Sequence, residues 1–134
     1  MTQPLFWLSL TAFATTLMWV PYILDTFAVR GVMATLGNPV DNPAPLHGWA
    51  DRAKKAHGNA IENLAAFAAL VLVAHFAGVE SSAVAAASMV FFYARLAHFV
   101  VFTLGIPVAR TLTFLVGFGA EVVIFFQIIG QTAT

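Results

Sequence analysis

The sequence predicts an all-α integral membrane protein in which four transmembrane helices form an up-and-down bundle. Of the 134 residues, 60% are apolar and only 9% are charged, whereas soluble domains carry roughly 25% charged residues. Four apolar runs are each about long enough to cross a ~30 Å hydrocarbon core. Two of the connections between these runs are tight, so the helices that they join must lie antiparallel.

The first span is predicted from Leu5 to Leu24. Its tryptophan and tyrosine side chains lie near its ends, as expected for aromatic belts at the membrane interface. Pro21 is expected to kink the last turn, because proline has no N–H group to donate. No Lys or Arg precedes the run, so we interpret it as a retained helix and not as a secretory signal.

A long connection is predicted for residues 25–52. It contains three glycines and the turn pairs Asn38-Pro39 and Asn42-Pro43, which is a loop composition. The other spans are predicted at residues 56–77, 83–104 and 108–129. Residues 1–134 then form a single domain, and a loop as long as 25–52 in a compact bundle is usually functional or disordered.

The basic residues predict the orientation of the bundle. Those outside the membrane core all lie beside the long loop or just after the third loop: Arg30, Arg52, Lys54, Lys55 and Arg110. The opposite side, with both termini, has no Lys or Arg. The positive-inside rule therefore places the long loop in the cytoplasm and both termini outside.

Composition restricts the chemistry. The absence of cysteine excludes disulfides, thiolate zinc sites and cysteine nucleophiles, so any thiol must come from a substrate. We expect no metal site. The formal net charge of zero gives no indication of nucleic-acid binding.

Ionisable residues inside the spans mark the candidate site, because a charge in hydrocarbon costs from a few to more than about ten kcal/mol. Glu62 on the second helix and Arg95 on the third are predicted at similar depth, so we expect them to form a structural ion pair. Glu121 on the fourth helix is a competing partner for Arg95. Such a pair could mark a functional site, or it could only fix the register of the two helices and take no part in any chemistry.

Helical spacing groups the other polar residues. Lys55, Asn59 and Glu62 share one helix face, and His98 shares a face with Arg95. Arg110 and Thr111 open the fourth helix, where free N–H groups and the positive dipole end favour an anion. The predicted pocket suits a small carboxylate or thiolate, although Asn59 and His98 could be ordinary interior residues and the basic residues only topology signals.

Two segments carry ordered motifs. The first has the pattern A-x-x-N-x-x-E-x-x-x-x-F, formed by Ala56, Asn59, Glu62 and Phe67. The second reads Arg95-Leu96-Ala97-His98 and then Gly105-Ile106-Pro107-Val108-Ala109-Arg110-Thr111. They resemble the second helix, and the segment from the third to the fourth helix, of the MAPEG family of membrane-associated proteins in eicosanoid and glutathione metabolism. The resemblance covers residues 50–130, and the chain looks most similar to small bacterial members of the family.

The resemblance implies a homotrimer with glutathione bound between protomers at the cytoplasmic side. It agrees with the topology predicted above, which we interpret as that of a bacterial inner-membrane protein with periplasmic termini. It implies a glutathione-dependent transferase or peroxidase that acts on a hydrophobic electrophile. Arg110 would hold the glutathione thiolate, with Thr111 as a hydrogen-bond donor. Arg95 would pair with the second-helix glutamate. The implied glutathione contacts are Lys55, Asn59, Glu62 and His98.

The alternative is a non-enzymatic membrane scaffold that binds a lipid or a partner membrane protein, as one member of the family does. Gly58 and Phe102 favour it, because they stand where other members have side chains that contact glutathione. Ion-coupled transport through the interior ionisable residues is a third class, but the sequence predicts no broken helix of the kind that transporters use.

Overall fold

The computed structural model describes residues 1–132, and all of the regular secondary structure in this range is helical. The helices are α1 (Gln3–Leu17), α2 (Val20–Arg30), α3 (Val32–Leu36), α4 (Gly48–Phe76), α5 (Ser82–Leu104) and α6 (Pro107–Thr132). Four segments are long and apolar enough to cross a membrane, namely α1 with α2, α4, α5 and α6. The prediction of an all-α fold is therefore confirmed, and its four long apolar segments are compatible with a four-span membrane bundle.

The first span is broken near its middle. α1 ends at Leu17 and α2 begins at Val20, with Pro21 in the first turn of α2. Pro21 cannot donate a hydrogen bond to the carbonyl of Leu17, and a missing N–H costs least in the first turn of a helix. The break therefore lies upstream of the proline and not in the last turn of the span.

The connection between the first two spans is shorter at both ends than the predicted loop at residues 25–52. α2 continues to Arg30 and α4 begins at Gly48, so the connection consists of α3 and an irregular stretch over residues 37–47. The buried carboxylate of Asp25 accepts hydrogen bonds from the backbone N–H of His47 at 2.9 Å and from its Nδ1 at 2.7 Å. Because His47 is the N-cap of α4, this contact fixes the start of α4 against α2.

The two short connections turn the chain tightly. Ser81 caps α5 by accepting a hydrogen bond from the N–H of Val84 at 3.1 Å. Gly105 ends α5 in the left-handed conformation, with φ of 78°, and α6 begins at Pro107. Only glycine adopts this conformation without strain, so the α5–α6 turn depends on Gly105.

The apolar core lies toward the end of the bundle that is remote from the long connection. α5 packs against α1, α4 and α6, and the rings of Phe67 and Phe91 stack between α4 and α5 with centroids 3.9 Å apart. At the other end α4 buries only alanines: Ala50, Ala53, Ala56 and Ala60. Small residues let helices approach closely, and the polar side chains of α5 and α6 occupy this end.

Candidate functional site

A cleft of ≈ 210 Å³ opens between α4, α5 and α6 at the end of the bundle that faces the long connection. It is lined by Asn59, His98, Phe102, Arg110, Thr111 and Phe114. Four of these are polar residues that the sequence singled out, contributed by three different helices. The structure therefore brings Asn59, His98, Arg110 and Thr111 together, whereas Lys55 and Glu62 do not line the cleft.

Arg95 supports the wall of this cleft from the interior. Its side chain is 3% exposed, and its Nη2 donates a hydrogen bond of 2.6 Å to Oδ1 of Asn59. The stem of Arg95 passes over Gly117 on α6, where an added Cβ would lie 3.5 Å from Cδ of Arg95. Arg95 thus joins α4 to α5 and uses the space that Gly117 leaves.

The predicted ion pair between Glu62 and Arg95 is not formed, and that expectation was wrong. The ion pairs of residues 1–132 join His47 with Asp25 and Lys55 with Asp51, and the side chain of Glu62 is exposed. Since α4 begins at Gly48, Glu62 lies about 21 Å along the helix at ~1.5 Å per residue. A start at residue 56 had placed it at the depth of Arg95.

Corrected depths explain the partner that Arg95 takes. Arg95 lies about 13 Å from the end of α5 and Asn59 about 16 Å from the start of α4, at ~1.5 Å per residue. The two residues are therefore level on antiparallel helices. The carboxylate that acts electrostatically on Arg95 is Glu121 on α6, whose Oε1 is buried and has no hydrogen-bond partner within the described chain.

The outer face of α4 carries the other predicted contacts. Lys55 forms an ion pair of 2.8 Å with Asp51 one turn earlier, and both side chains are more than half exposed. Such surface pairs contribute at most about 1 kcal/mol, so Lys55 remains available for other partners. Lys55 and Glu62 are both exposed on one side of α4, whereas Asn59, which was predicted to share their face, lines the cleft.

His98 is held rigidly where α5 meets α6. Its side chain is 3% exposed, and its Nδ1 lies 3.0 Å from the carbonyl oxygen of Arg110 and 3.2 Å from Oγ1 of Thr113. The rings of Phe102 and Phe114 lie against the imidazole, with centroids 5.6 Å and 6.1 Å away. Nε2 is buried and has no hydrogen-bond partner in the part of the chain that is described.

Arg110 and Thr111 form the rim of the cleft. The guanidinium carbon of Arg110 lies 4.9 Å from the centroid of the Phe102 ring, which is a cation–π contact. The hydroxyl of Thr111 donates a long hydrogen bond of 3.3 Å to the carbonyl of Pro107. Both side chains are exposed, so the rim presents a cation and a hydroxyl to a ligand.

Sequence reasoning missed three contacts around the site. Nδ1 of His98 contacts Oγ1 of Thr113 as well as the carbonyl oxygen of Arg110. The position of Thr113 three residues after Arg110, on the same face of α6, is the sequence feature that indicates this contact. Arg52, which was interpreted only as a topology signal, donates to the carbonyl of Thr103 at 3.0 Å. Tyr22 and His57 share a hydrogen bond of 2.8 Å, which no local pattern indicates.

Comparison with known proteins gives one positive finding. A family model described as "MAPEG family" matches residues 5–130. No curated protein and no solved structure matches the chain. The matched region includes all of the cleft residues.

Proposed function

Since the chain belongs to the MAPEG family, we propose that it is a membrane-bound, glutathione-dependent transferase or peroxidase that acts on a hydrophobic electrophile. The observation that carries the proposal is the convergence of Asn59, His98, Arg110 and Thr111 on one cleft. These are four of the six residues that the family resemblance assigned to glutathione. Their chemistry suits an anionic peptide, because the rim carries an exposed guanidinium.

Arg110 and Thr111 are the proposed catalytic residues. A cation beside a thiol favours its thiolate form, and the exposed guanidinium of Arg110 is the cation at this cleft. The hydroxyl of Thr111 now donates only a long hydrogen bond to Pro107, so it can turn toward a bound sulfur. Asn59 from α4 and His98 from α5 are the other proposed glutathione contacts in this cleft.

Lys55 and Glu62 support a homotrimer with glutathione between protomers. Glu62 is exposed near the middle of α4, which is about 43 Å long at ~1.5 Å per residue. A carboxylate at that depth cannot face lipid without a cost of a few kcal/mol or more. A second copy of the chain that covers this face would remove the cost and would bring Lys55 and Glu62 to a neighbouring cleft.

The hydrophobic co-substrate has a separate apolar groove of ≈ 360 Å³ between α5 and α6. Its lining includes Tyr93, Ala97, Leu112, Thr113 and Val116. Thr113 lines this groove, and His98 lines the cleft. The hydrogen bond between these two residues therefore connects the walls of the groove and the cleft. An electrophile dissolved in the bilayer could reach this groove without crossing water.

The distribution of charge supports a bacterial inner-membrane location with the cleft in the cytoplasm. The contact of Arg52 with Thr103 and the position of Arg110 beside the α5–α6 turn place the basic residues at one end of the bundle. Four spans return the chain to its starting side. The positive-inside rule then gives periplasmic termini.

A binding titration tests the proposal. Purified protein in detergent should bind glutathione, and Arg110→Ala should weaken the binding. Lys54→Ala is the matched control, because Lys54 is an exposed basic residue outside the cleft. The wild-type protein with glutathione bound should then conjugate glutathione to an aryl halide or use it to reduce a lipid hydroperoxide. Absence of glutathione binding at millimolar concentration would contradict the proposal.

The second candidate is a non-enzymatic scaffold that binds a lipid or a membrane protein. The ring of Phe102 lies under the Arg110 guanidinium, at a position where other family members have a tyrosine that contacts glutathione. Gly58 has no atom within 4 Å of an added Cβ and supplies no side chain to a ligand. Protein that retains a bound lipid but does not bind glutathione would favour this candidate.

A further inference from the structure

We propose that Nε2 of His98 is the proton acceptor that removes the thiol proton when glutathione enters the cleft. The inference rests on the proposed function and assigns a step that Arg110 cannot perform. A guanidinium stabilises a thiolate after it forms, but it has no lone pair to accept the proton. The proton must go to another acceptor, and Nε2 of His98 is an acceptor in the same cleft that has no partner within the described chain.

The hydrogen bonds of His98 fix which ring nitrogen carries the hydrogen. Nδ1 lies 3.0 Å from the carbonyl oxygen of Arg110, and a carbonyl can only accept. Thr113 donates its hydroxyl hydrogen to the carbonyls of Ala109 and Arg110 at 2.9 and 3.0 Å, so its oxygen also accepts from Nδ1 at 3.2 Å. The carbonyl contact requires the hydrogen on Nδ1 and the Thr113 contact is compatible with it, which leaves a lone pair on Nε2 of the neutral ring.

This lone pair is unused within residues 1–132. Nε2 is buried and without a hydrogen-bond partner, although buried polar atoms in folded proteins nearly always have one. Phe102 and Phe114 pack against the ring and shield it from water. A thiol that enters between these two side chains would meet an acceptor that no other group competes for.

The other polar groups of the cleft are poor alternatives as a base. Oδ1 of Asn59 already accepts from Arg95, so this amide offers donors. The hydroxyl of Thr111 is a much weaker base than a neutral imidazole. Among the side chains that line the cleft, His98 is therefore the one whose chemistry lets it hold a thiol proton.

The step balances as a simple proton transfer. The S–H bond breaks, its electron pair stays on sulfur, and the proton forms an N–H bond at Nε2. The imidazolium keeps its Nδ1–H bond to the Arg110 carbonyl, and the thiolate is left beside the Arg110 guanidinium. The charged groups that act on His98 are Arg95 and Arg110, and α4 faces it with the uncharged Asn59. The positive charges of Arg95 and Arg110 disfavour the imidazolium, which therefore does not accumulate. The effect of His98 should then appear in the rate of thiolate formation.

Stopped-flow absorbance measures this rate directly, because thiolate formation is visible in the ultraviolet. In His98→Gln, whose amide can still donate to the Arg110 carbonyl, thiolate formation should slow by about 10²–10⁴-fold, the usual contribution of a general base. Affinity for S-methylglutathione, which has no thiol proton, should fall by no more than about tenfold, the usual effect of losing one neutral hydrogen bond. Added imidazole should restore the rate in His98→Ala, since it replaces a base and not a structural contact.

The outcomes separate the two proposals. Equal rates of thiolate formation in wild type and His98→Gln would overturn the role of His98 and leave the proposed function standing. A wild-type protein that binds no glutathione would overturn both. Nitrogen-15 NMR of the histidine rings, assigned with His98→Gln, tests the premise without any ligand. It should show hydrogen on Nδ1 and none on Nε2, and the reverse pattern would also overturn the inference.

Discussion

The contact between Asn59 and Arg95 should dominate the stability of the polar half of the bundle. The hydrogen bond is 2.6 Å long and joins a neutral amide to a buried guanidinium. Hydrogen bonds to charged groups contribute about 1.5–3 kcal/mol. Asn59→Ala leaves Arg95 with no acceptor for Nη2 beside an Nε that already has none among the described residues. We therefore expect a loss near the top of that range.

A double-mutant cycle measures the coupling. Asn59→Ala, Arg95→Met and the double variant are unfolded reversibly in detergent, and the double variant should cost about 1.5–3 kcal/mol less than the sum of the single variants. The matched control cycle uses Glu62→Gln with Arg95→Met. It should be additive to within about 0.5 kcal/mol, because Glu62 is exposed and makes no ion pair with Arg95. Larger coupling in the Glu62 cycle than in the Asn59 cycle would show that Glu62, and not Asn59, is the partner of Arg95.

Three further predictions concern the frame of the site. Asp25→Ala removes two hydrogen bonds at the start of α4 and should lower the free energy of unfolding by about 1–3 kcal/mol. The control, Asp51→Ala, removes an exposed ion pair and should lower it by at most about 1 kcal/mol. Equal losses in the two variants would contradict the anchoring role of Asp25. Gly105→Ala should lower the free energy of unfolding by about 1–2 kcal/mol because Gly105 has a positive φ. Gly119→Ala, where an added Cβ has no atom within 4 Å, should raise it by up to about 1 kcal/mol. Equal melting temperatures of the two variants would contradict the role of Gly105 in the α5–α6 turn. A C-terminal reporter fusion should score as periplasmic, and a cytoplasmic score would invert the topology.

The sequence predicted the four spans because each apolar run has the length that a bilayer demands. It misplaced the start of α4 because Gly48 and the polar residues at 51–55 have the composition of a loop. In the structure these residues are the first turns of a helix whose start is anchored by Asp25. The anchor could not be predicted, since it joins residues 22 positions apart.

The error in the helix start propagated to the site. Depth along α4 was counted from residue 56, which placed Glu62 opposite Arg95 and left Asn59 too shallow. Asn59, His98, Arg110 and Thr111 nonetheless line one cleft, because their order along antiparallel helices brings them to one end of the bundle. The orientation of His98 depends on Thr113 and on a backbone carbonyl, and side-chain spacing carries no information about either.

The thiolate absorbance of glutathione bound to the wild-type protein measures whether Arg110 holds an ionised thiol. Bound glutathione should be partly ionised near neutral pH, and Arg110→Ala should abolish the absorbance while weakening peptide binding less, because Asn59 still holds the rest of the molecule. Arg110→Lys should rescue only part of it, since an ammonium lacks the planar fork of a guanidinium. Glutathione that binds fully protonated, or unchanged thiolate absorbance in Arg110→Ala, would contradict the account.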